Sequence, residues 1–128
     1  MAYEIVRDAR VADFVGGAIG VIFNPPLTCL GVQRGGVIIG GAVFNVYEGS
    51  DIHVSMAGRG ATKGFLAEVG HYAYTVLGCE RMTVITEKPE VVRLAEKLGG
   101  QVEGMLRNHF GKDRPAFIVG ILKSEYRF

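Results

Sequence analysis

The spacing of apolar residues predicts that the chain begins with a strand followed by a helix. Tyr3 to Val6 favours a short strand, and Asp8 to about Val21 carries apolar residues at the three- and four-residue spacing of a helix. Asp8 is placed to cap this helix. The segment Asn24-Pro25-Pro26 should end it, because proline lacks an amide donor and disfavours a helical residue before it.

The next part of the chain has the pattern of a β meander. Two segments rich in Val, Ile and Phe, Leu27 to Gln33 and Val37 to Tyr47, flank the turn Arg34-Gly35-Gly36, which is typical of a hairpin. From Asp51 to Ala57, apolar and polar residues alternate as in a strand with one buried face. We therefore expect three consecutive antiparallel strands.

The spacing of apolar residues changes again in the second half of the chain. A helical stripe runs from Thr62 to about Leu77, and Gly78 suits its C-terminus. The remaining elements are predicted as a strand at Arg81 to Thr86, a helix from Pro89 to Leu98, and strands at Gln101 to Arg107 and Pro115 to Leu122.

The predicted order of elements, β-α-β-β-β-α-β-α-β-β, defines a fold class. It indicates an α/β (α+β) fold with a mixed, mostly antiparallel sheet of about six to seven strands, flanked by about three to four helices. The 128 residues have the length of one domain, so residues 1–128 are treated as a single unit.

Composition and charge exclude several classes of protein. The chain is 48% hydrophobic, and its net charge of +1 lacks the basic excess that nucleic-acid binding requires. Met1 to Arg10 has no signal-peptide core, and no apolar run approaches the roughly 20 residues that span a bilayer. A cytoplasmic protein without a membrane partner is expected. Cys29 and Cys79 lie far apart, and the histidines show no ligand spacing, so reduced thiols and no metal are expected.

A glycine-rich loop before the second helix could bind an anion. Gly58 and Gly60 let the backbone turn sharply, and the amides of the helix would point at a ligand in the loop. Arg59 and Lys63 oppose the helix dipole, a penalty that a bound phosphate would reverse. The loop matches neither the P-loop, since Thr62 precedes the lysine, nor the dinucleotide fingerprint, since Lys63 replaces the third glycine. A plain turn with two solvated basic residues is the alternative.

Five segments in sequence order, at 58–66, 77–84, 93–99, 102–107 and 118–125, together resemble the GNAT superfamily of N-acetyltransferases. Gly58-Arg59-Gly60-Ala61-Thr62-Lys63-Gly64-Phe65-Leu66 is similar to its acetyl-CoA-binding segment, and Leu77-Gly78-Cys79-Glu80-Arg81-Met82-Thr83-Val84 to the strand that follows. Arg93 to Gly99 resembles its penultimate helix, and Val102 to Arg107 its next strand. The ending Ile118 to Glu125 is similar to ribosomal-protein N-acetyltransferases and to short GNAT-like proteins of phages and prophages.

The resemblance implies a sheet split open between its fourth and fifth strands, with acetyl-CoA as co-substrate in the gap. Loop amides would hold the pyrophosphate, and the fourth strand would pair with the pantetheine arm. A backbone amide near Val54 is the implied oxyanion donor. The implied cofactor-binding residues are Ile52, Val54, Ser55, Met56, Gly58, Arg59, Gly60, Ala61, Thr62, Lys63 and Lys88.

The sequence offers fewer candidates for catalytic residues than for cofactor-binding residues. His53 is the first choice as general base, because the fourth strand would lie beside the thioester and imidazole titrates near neutral pH. A surface histidine is the alternative interpretation. Thr86 and Lys88 fall near the implied position of the sulfur, so either could help the thiolate leave. A solvated lysine at the start of the helix is the alternative for Lys88. Lys88 and Ala95 stand where many relatives carry an asparagine and a tyrosine, so the usual proton donor is missing.

The sequence thus predicts an N-acetyltransferase that moves an acetyl group from acetyl-CoA to a primary amine, on a small molecule or a protein. A non-catalytic acyl-CoA-binding or interaction module of the same fold is the main alternative. A structural protein that binds neither ligand is a third reading. Asp51 and Glu48 are weaker candidates for the base. A homodimer is compatible with the sequence, because the first half carries little material for binding an acceptor.

Overall fold

A seven-stranded sheet organises the chain, for which a computed structural model describes residues 3–128. The strands are β1 (Glu4–Val6), β2 (Leu27–Arg34), β3 (Val37–Asn45), β4 (Asp51–Gly58), β5 (Arg81–Thr86), β6 (Gln101–Leu106) and β7 (Ala116–Leu122). The helices are α1 (Arg10–Ile19), α2 (Lys63–Gly70), which continues as a π-helical segment (His71–Val76), and α3 (Pro89–Lys97). The predicted order of elements is confirmed.

The strand order across the sheet is β1-β2-β3-β4-β5-β7-β6. All neighbouring strands are antiparallel except β4 and β5, which are parallel. Their register covers three residue pairs, Asp51–His53 against Arg81–Thr83. The later residues of both strands have no partner in this ladder, so the sheet opens there into a gap.

Two apolar clusters cover the two faces of the sheet. The larger one lies under α2, the π-helical segment and α3, and includes Phe44, Val54, Phe65, Met82 and Ile121. The smaller one lies under α1, against β2 and β3. Cys29 and Cys79 are buried, unpaired thiols, as expected. Within residues 3–128, no helix has the length and apolar character needed to cross a membrane.

The first helix is shorter than the sequence suggested. It ends at Ile19 instead of about residue 21, because Gly20 adopts a left-handed φ of 77° and its amide returns to the carbonyl of Gly16 at 2.8 Å. The cap residue is Ala9, one position after the expected Asp8, and Asp8 Oδ1 still accepts the amide of Arg10, the first helical residue, at 3.0 Å.

The second helix changes its winding after Gly70, which periodicity alone did not predict. Tyr72 and Tyr74 lie two positions apart in the π-helical segment, and both side chains contact the rest of the protein. The Tyr72 hydroxyl donates to Thr28 Oγ1 at 2.8 Å, and the Tyr74 hydroxyl donates to the carbonyl of Ile121 at 2.6 Å. Burial raises the pKa of Tyr74 far above that of a free tyrosine, so this hydroxyl stays protonated.

Replacing Tyr74 with phenylalanine is expected to lower the free energy of unfolding by about 1 to 2 kcal/mol, because a carbonyl in the core loses its donor. Tyr47→Phe is the matched control, since Tyr47 is 55% exposed and makes a longer bond of 3.4 Å. Urea unfolding of both variants measures the difference. Equal midpoints for the two variants would contradict the role of the buried bond.

Candidate functional site

The gap between β4 and β5 continues into a cleft with three connected parts. The widest part, about 280 Å³, lies between the loop after β4, the start of α3 and the end of α1. Two narrower parts of about 40 and 20 Å³ extend between the strands. Met56 and Val91 line all three parts, so the cleft is continuous. The smallest part has an apolar lining, the part of about 40 Å³ also carries Ser55, Thr86 and Glu87, and charged residues at the wide end are Arg59, Lys88 and Glu90.

The free edge of β4 exposes backbone groups to this gap. The carbonyl of Asp51 accepts a hydrogen bond from the loop after β3, and the amide of Arg59 donates a hydrogen bond to β3 itself. The odd-numbered residues of β4 therefore direct their backbone amides and carbonyls toward β3. Because backbone direction alternates along a strand, Val54 and Met56 turn theirs toward β5, where the gap opens. An extended ligand could pair with this edge.

Two residues of the predicted cofactor edge are placed differently. Ile52 lies inside the segment that pairs with β5, opposite Met82, so its backbone is not open to a ligand. Ser55 is opposite Val43 of β3, so it can offer the cleft its side chain but not its backbone. The alternation along β4 and the end of the β4–β5 register cause both differences.

Two glycines determine the backbone conformation of the loop after β4. Gly58 and Gly60 have φ values of 86° and 88°, a region that other residues rarely adopt. The loop lies directly against β3, because a Cβ on Gly40 would be 2.0 Å from the carbonyl oxygen of Arg59. A side chain at Gly40 would therefore push the loop away from the sheet.

Some of the predicted loop amides are already used within the chain. Arg59 donates its amide to Ile39 at 2.7 Å, and Thr62 donates its amide to Gly60 at 2.7 Å. These two amides are not available to a ligand, in contrast to the prediction. Thr62 instead caps α2 by accepting the amide of Phe65 at 3.1 Å. Within residues 3–128, no acceptor is found for the amides of Gly60, Ala61, Lys63 and Gly64.

Three cations surround the wide end of the cleft without a carboxylate partner. Arg59, Lys63 and Lys88 form no ion pair with any residue of the described part of the chain. Arg59 and Lys88 line the cleft together with one carboxylate, Glu90, and the first turn of α2 contains no acidic residue. Free amides and unpaired cations together make this end attractive to a phosphate or pyrophosphate group.

A chain of charged groups crosses β4, β5 and β6 next to the gap. Asp51 lies 3.5 Å from His53 Nε2 through one carboxylate oxygen, while the other oxygen accepts the hydroxyl of Thr83 at 2.7 Å. The guanidinium of Arg81 lies 3.6 Å from Asp51 and 2.7 Å from Glu103. The bond to Glu103 raises the pKa of Arg81, so this guanidinium stays charged. Asp51 is thus held in place from two sides.

His53 lies beside the cleft and does not line it. It precedes Ser55 by two positions, so both side chains are on the same face of β4, and Ser55 lines the cleft. Ligand atoms of Glu48, Asp51 and His53 lie within 4.8 Å of one another, a grouping that the sequence did not suggest. The guanidinium of Arg81 beside Asp51 opposes a cation there.

Thr86 lies at the point where β5 ends in the cleft. It is 8% exposed, and its hydroxyl oxygen accepts the amide of Lys88 at 3.1 Å, which leaves the hydroxyl proton free for another acceptor. Glu87 and Phe110 line the same part of the cleft. Arg114 donates both to Glu87 Oε2, at 3.2 Å, and to Oε1, and it lowers the pKa of the Glu87 carboxyl.

No tyrosine lines the cleft among the described residues. Tyr47, Tyr72 and Tyr74 use their hydroxyls elsewhere, and the Tyr126 hydroxyl bonds to the carbonyl of Leu66. Burial raises the pKa of Tyr126 to about 12. The predicted lack of a tyrosine donor at Ala95 is consistent with this, because Ala95 is buried in the core against the narrowest part of the cleft.

Several lining residues had no signal in the sequence. Glu87 and Arg114 are 27 positions apart in the sequence. They form a hydrogen bond because the turn after β6 lies close to the end of β5. The same contact brings Phe110 to the cleft. The amide of Gly64 could have been found, because it belongs to the first turn of a helix whose start near Thr62 was predicted.

Comparison with known proteins identifies the fold. No family model matches the sequence, and no curated protein does. Mutant forms of the spermidine/spermine N-acetyltransferase SpeG from Vibrio cholerae match with a TM-score of 0.73 and 16% identity, covering 98% of this chain and 97% of that chain. The Vibrio cholerae spermidine N-acetyltransferase in complex with CoA and spermine gives 0.70 and 16%, over 97% of each chain.

A third solved structure points the same way. A protein from Desulfovibrio desulfuricans assigned to the GNAT family of acetyltransferases gives a TM-score of 0.70 at 16% identity, over 95% of this chain and 99% of that chain. The chain therefore has the GNAT fold that its motifs resembled, with the sheet opened between β4 and β5. The expected mixed sheet of about six to seven strands is confirmed by the seven strands observed.

Proposed function

We propose that this protein is an N-acyltransferase that moves an acetyl group from acetyl-CoA to a primary amine. One observation carries the proposal: free amides and unpaired cations stand at the wide end of a cleft that opens between two parallel strands. A ligand with an anionic group at one end and a long uncharged chain at the other fits such a cleft. The GNAT fold and the CoA complex of a structural neighbour support the same ligand.

The residues present fit coenzyme A. The amides of Gly60, Ala61, Lys63 and Gly64 would hold the pyrophosphate, with Arg59 and Lys63 supplying charge. Val54 and Met56 would pair with the amide groups of the pantetheine arm, as an added strand does. When bound, acetyl-CoA supplies an activated thioester.

His53 is the proposed general base. Asp51 lies 3.5 Å from its Nε2, which leaves Nδ1 as the nitrogen that would accept the proton that the amine loses on attack. Thr83 and Arg81 hold Asp51, which fixes the direction of the imidazole. Glu48 lies in the same cluster as Asp51 and His53, so it is the second candidate for the base.

Thr86 is the proposed donor for the leaving thiolate. Its oxygen accepts the amide of Lys88, so its proton is available to a sulfur that lies in the cleft. Lys88 would assist by placing positive charge at the same end of β5. A backbone amide near Val54 is the proposed donor to the developing oxyanion.

The alternative is a module that binds acyl-CoA without turnover. The absence of a cleft tyrosine within residues 3–128 favours it, since the thiolate then depends on a threonine and a lysine. Release of free thiol in the presence of amines separates the two functions.

The proposal is tested by titrating the purified protein with acetyl-CoA, CoA and pantetheine in a calorimeter. We expect micromolar binding of both CoA species and much weaker binding of pantetheine, because pantetheine lacks the pyrophosphate. A thiol-release assay with spermidine, spermine and lysine peptides then identifies acceptors. If neither CoA species gives heat or a thermal shift, the protein is not a CoA-dependent enzyme.

A further inference from the structure

Lys88 holds a special position among the amines of this protein. It lines both the wide part of the cleft, with Gly58 and Arg59, and the part between the strands, with Ser55 and Thr86. Lys63, Lys97, Lys112 and Lys123 line neither part. A thioester that reached the end of β5 would therefore meet the amino group of Lys88 first.

The contacts of Lys88 keep its amino group at the cleft and leave it reactive. Its Nζ donates to the carbonyl of Ala18, at the end of α1, over 3.4 Å. It forms no ion pair in the described chain, although Glu87 and Glu90 line the same parts of the cleft and, after Arg114, the charge of Lys88 contributes to lowering the pKa of Glu87. A bond donated to a neutral carbonyl uses an N–H and leaves the lone pair of a deprotonated amine free to attack.

We propose that Lys88 is a site of self-acylation, an inference that rests on the proposed binding of acyl-CoA. The neutral Nζ attacks the thioester carbonyl, the C–S bond breaks, and coenzyme A leaves as the thiolate. The proton that the nitrogen gives up passes to the thiolate. The products are Nζ-acyl-lysine and free CoA thiol, and no further reactant is needed.

Acylation of Lys88 changes the cleft in two ways. The side chain loses its positive charge at the end where the phosphate groups would bind. The acyl group occupies space next to Thr86 and Ser55, where the thioester of the next acetyl-CoA would lie. The modified chain therefore binds acetyl-CoA more weakly than the unmodified one.

The test is a time course of the whole protein with acetyl-CoA, followed by mass spectrometry of each lysine peptide. The initial rate at Lys88 should exceed the rates at the exposed Lys97, Lys112 and Lys123 by about tenfold or more, because binding positions the donor. A parallel reaction uses acetyl phosphate, which carries no coenzyme A. That donor should show no preference for Lys88. Lys88→Arg should remove the first acetyl adduct from the intact mass spectrum.

The outcomes separate this inference from the proposed function. Calorimetric CoA binding with equal acetylation rates at all lysines would overturn self-acylation and leave the proposed function standing. A preference for Lys88 with acetyl phosphate as well would also overturn it, because the preference would then be independent of CoA. A lack of CoA binding would instead contradict the proposed function.

Discussion

Gly64→Glu is expected to weaken coenzyme A binding by about 100-fold or more. A Cβ at Gly64 meets no atom closer than Thr62 Oγ1, at 3.9 Å, so the side chain fits without moving the loop. Its carboxylate would stand beside the amides proposed to hold the pyrophosphate. Two like charges about 4 Å apart near a protein surface repel by about 4 kcal/mol, more than the roughly 2.7 kcal/mol that corresponds to 100-fold. Calorimetric titration measures the loss.

Gly64→Gln is the matched control, because it has nearly the same size and no charge. We expect its Kd for CoA to stay within about threefold of the wild type. An equal loss in both variants would indicate a steric effect, and wild-type binding by Gly64→Glu would place the phosphates elsewhere. Gly60 is less suitable for this test, since its φ of 88° and a Cβ position 2.7 Å from Val32 Cγ1 would strain the loop.

His53→Ala is expected to lower kcat by about 100-fold while the Kd for acetyl-CoA stays unchanged. A positioned base contributes about 10² to 10⁴ in rate, and His53 lies beside the cleft without lining it. Steady-state kinetics with a saturating acceptor gives kcat, and calorimetry gives the Kd. His71→Ala is the control, because His71 is an exposed imidazole on the π-helical segment.

Two results would contradict the role of His53. Unchanged kcat would show that another group removes the proton, with Glu48 as the next candidate because it lies in the same cluster. A matching loss of acetyl-CoA affinity would show that His53 supports the shape of β4 instead of the chemistry. The His71 variant should keep both constants in either case.

The order of elements was predictable because each rests on a local pattern. Alternation in β4 and the glycine loop before α2 require no distant contact, and both were found where the sequence placed them. Element ends were less predictable, because they depend on single backbone angles. Gly20 ends α1 early, and Val46 ends β3 two residues before its predicted end by taking a φ of 52°.

The candidate site was predictable where its residues are neighbours in the chain. The loop from Gly58 to Lys63 is such a segment, although its hydrogen bonds with β3 decide which amides remain free. Contacts between residues far apart in the sequence leave no local sequence pattern from which they could be predicted. The clamp of Thr83 and Arg81 on Asp51 and the bond from Lys88 to Ala18 depend on register and on how helices end, so they required the structure.

The short pairing of β4 with β5 also determines how the molecule can deform. The first helix packs mainly on β2, β3 and β4, while α3 packs mainly on β5, β6 and β7, so each half of the sheet carries its own helix. Backbone bonds join the halves over three residue pairs, and the larger apolar core joins them underneath. A change in the width of the cleft would therefore disturb only this one ladder of the sheet, and the apolar core beneath it limits how far the halves can separate.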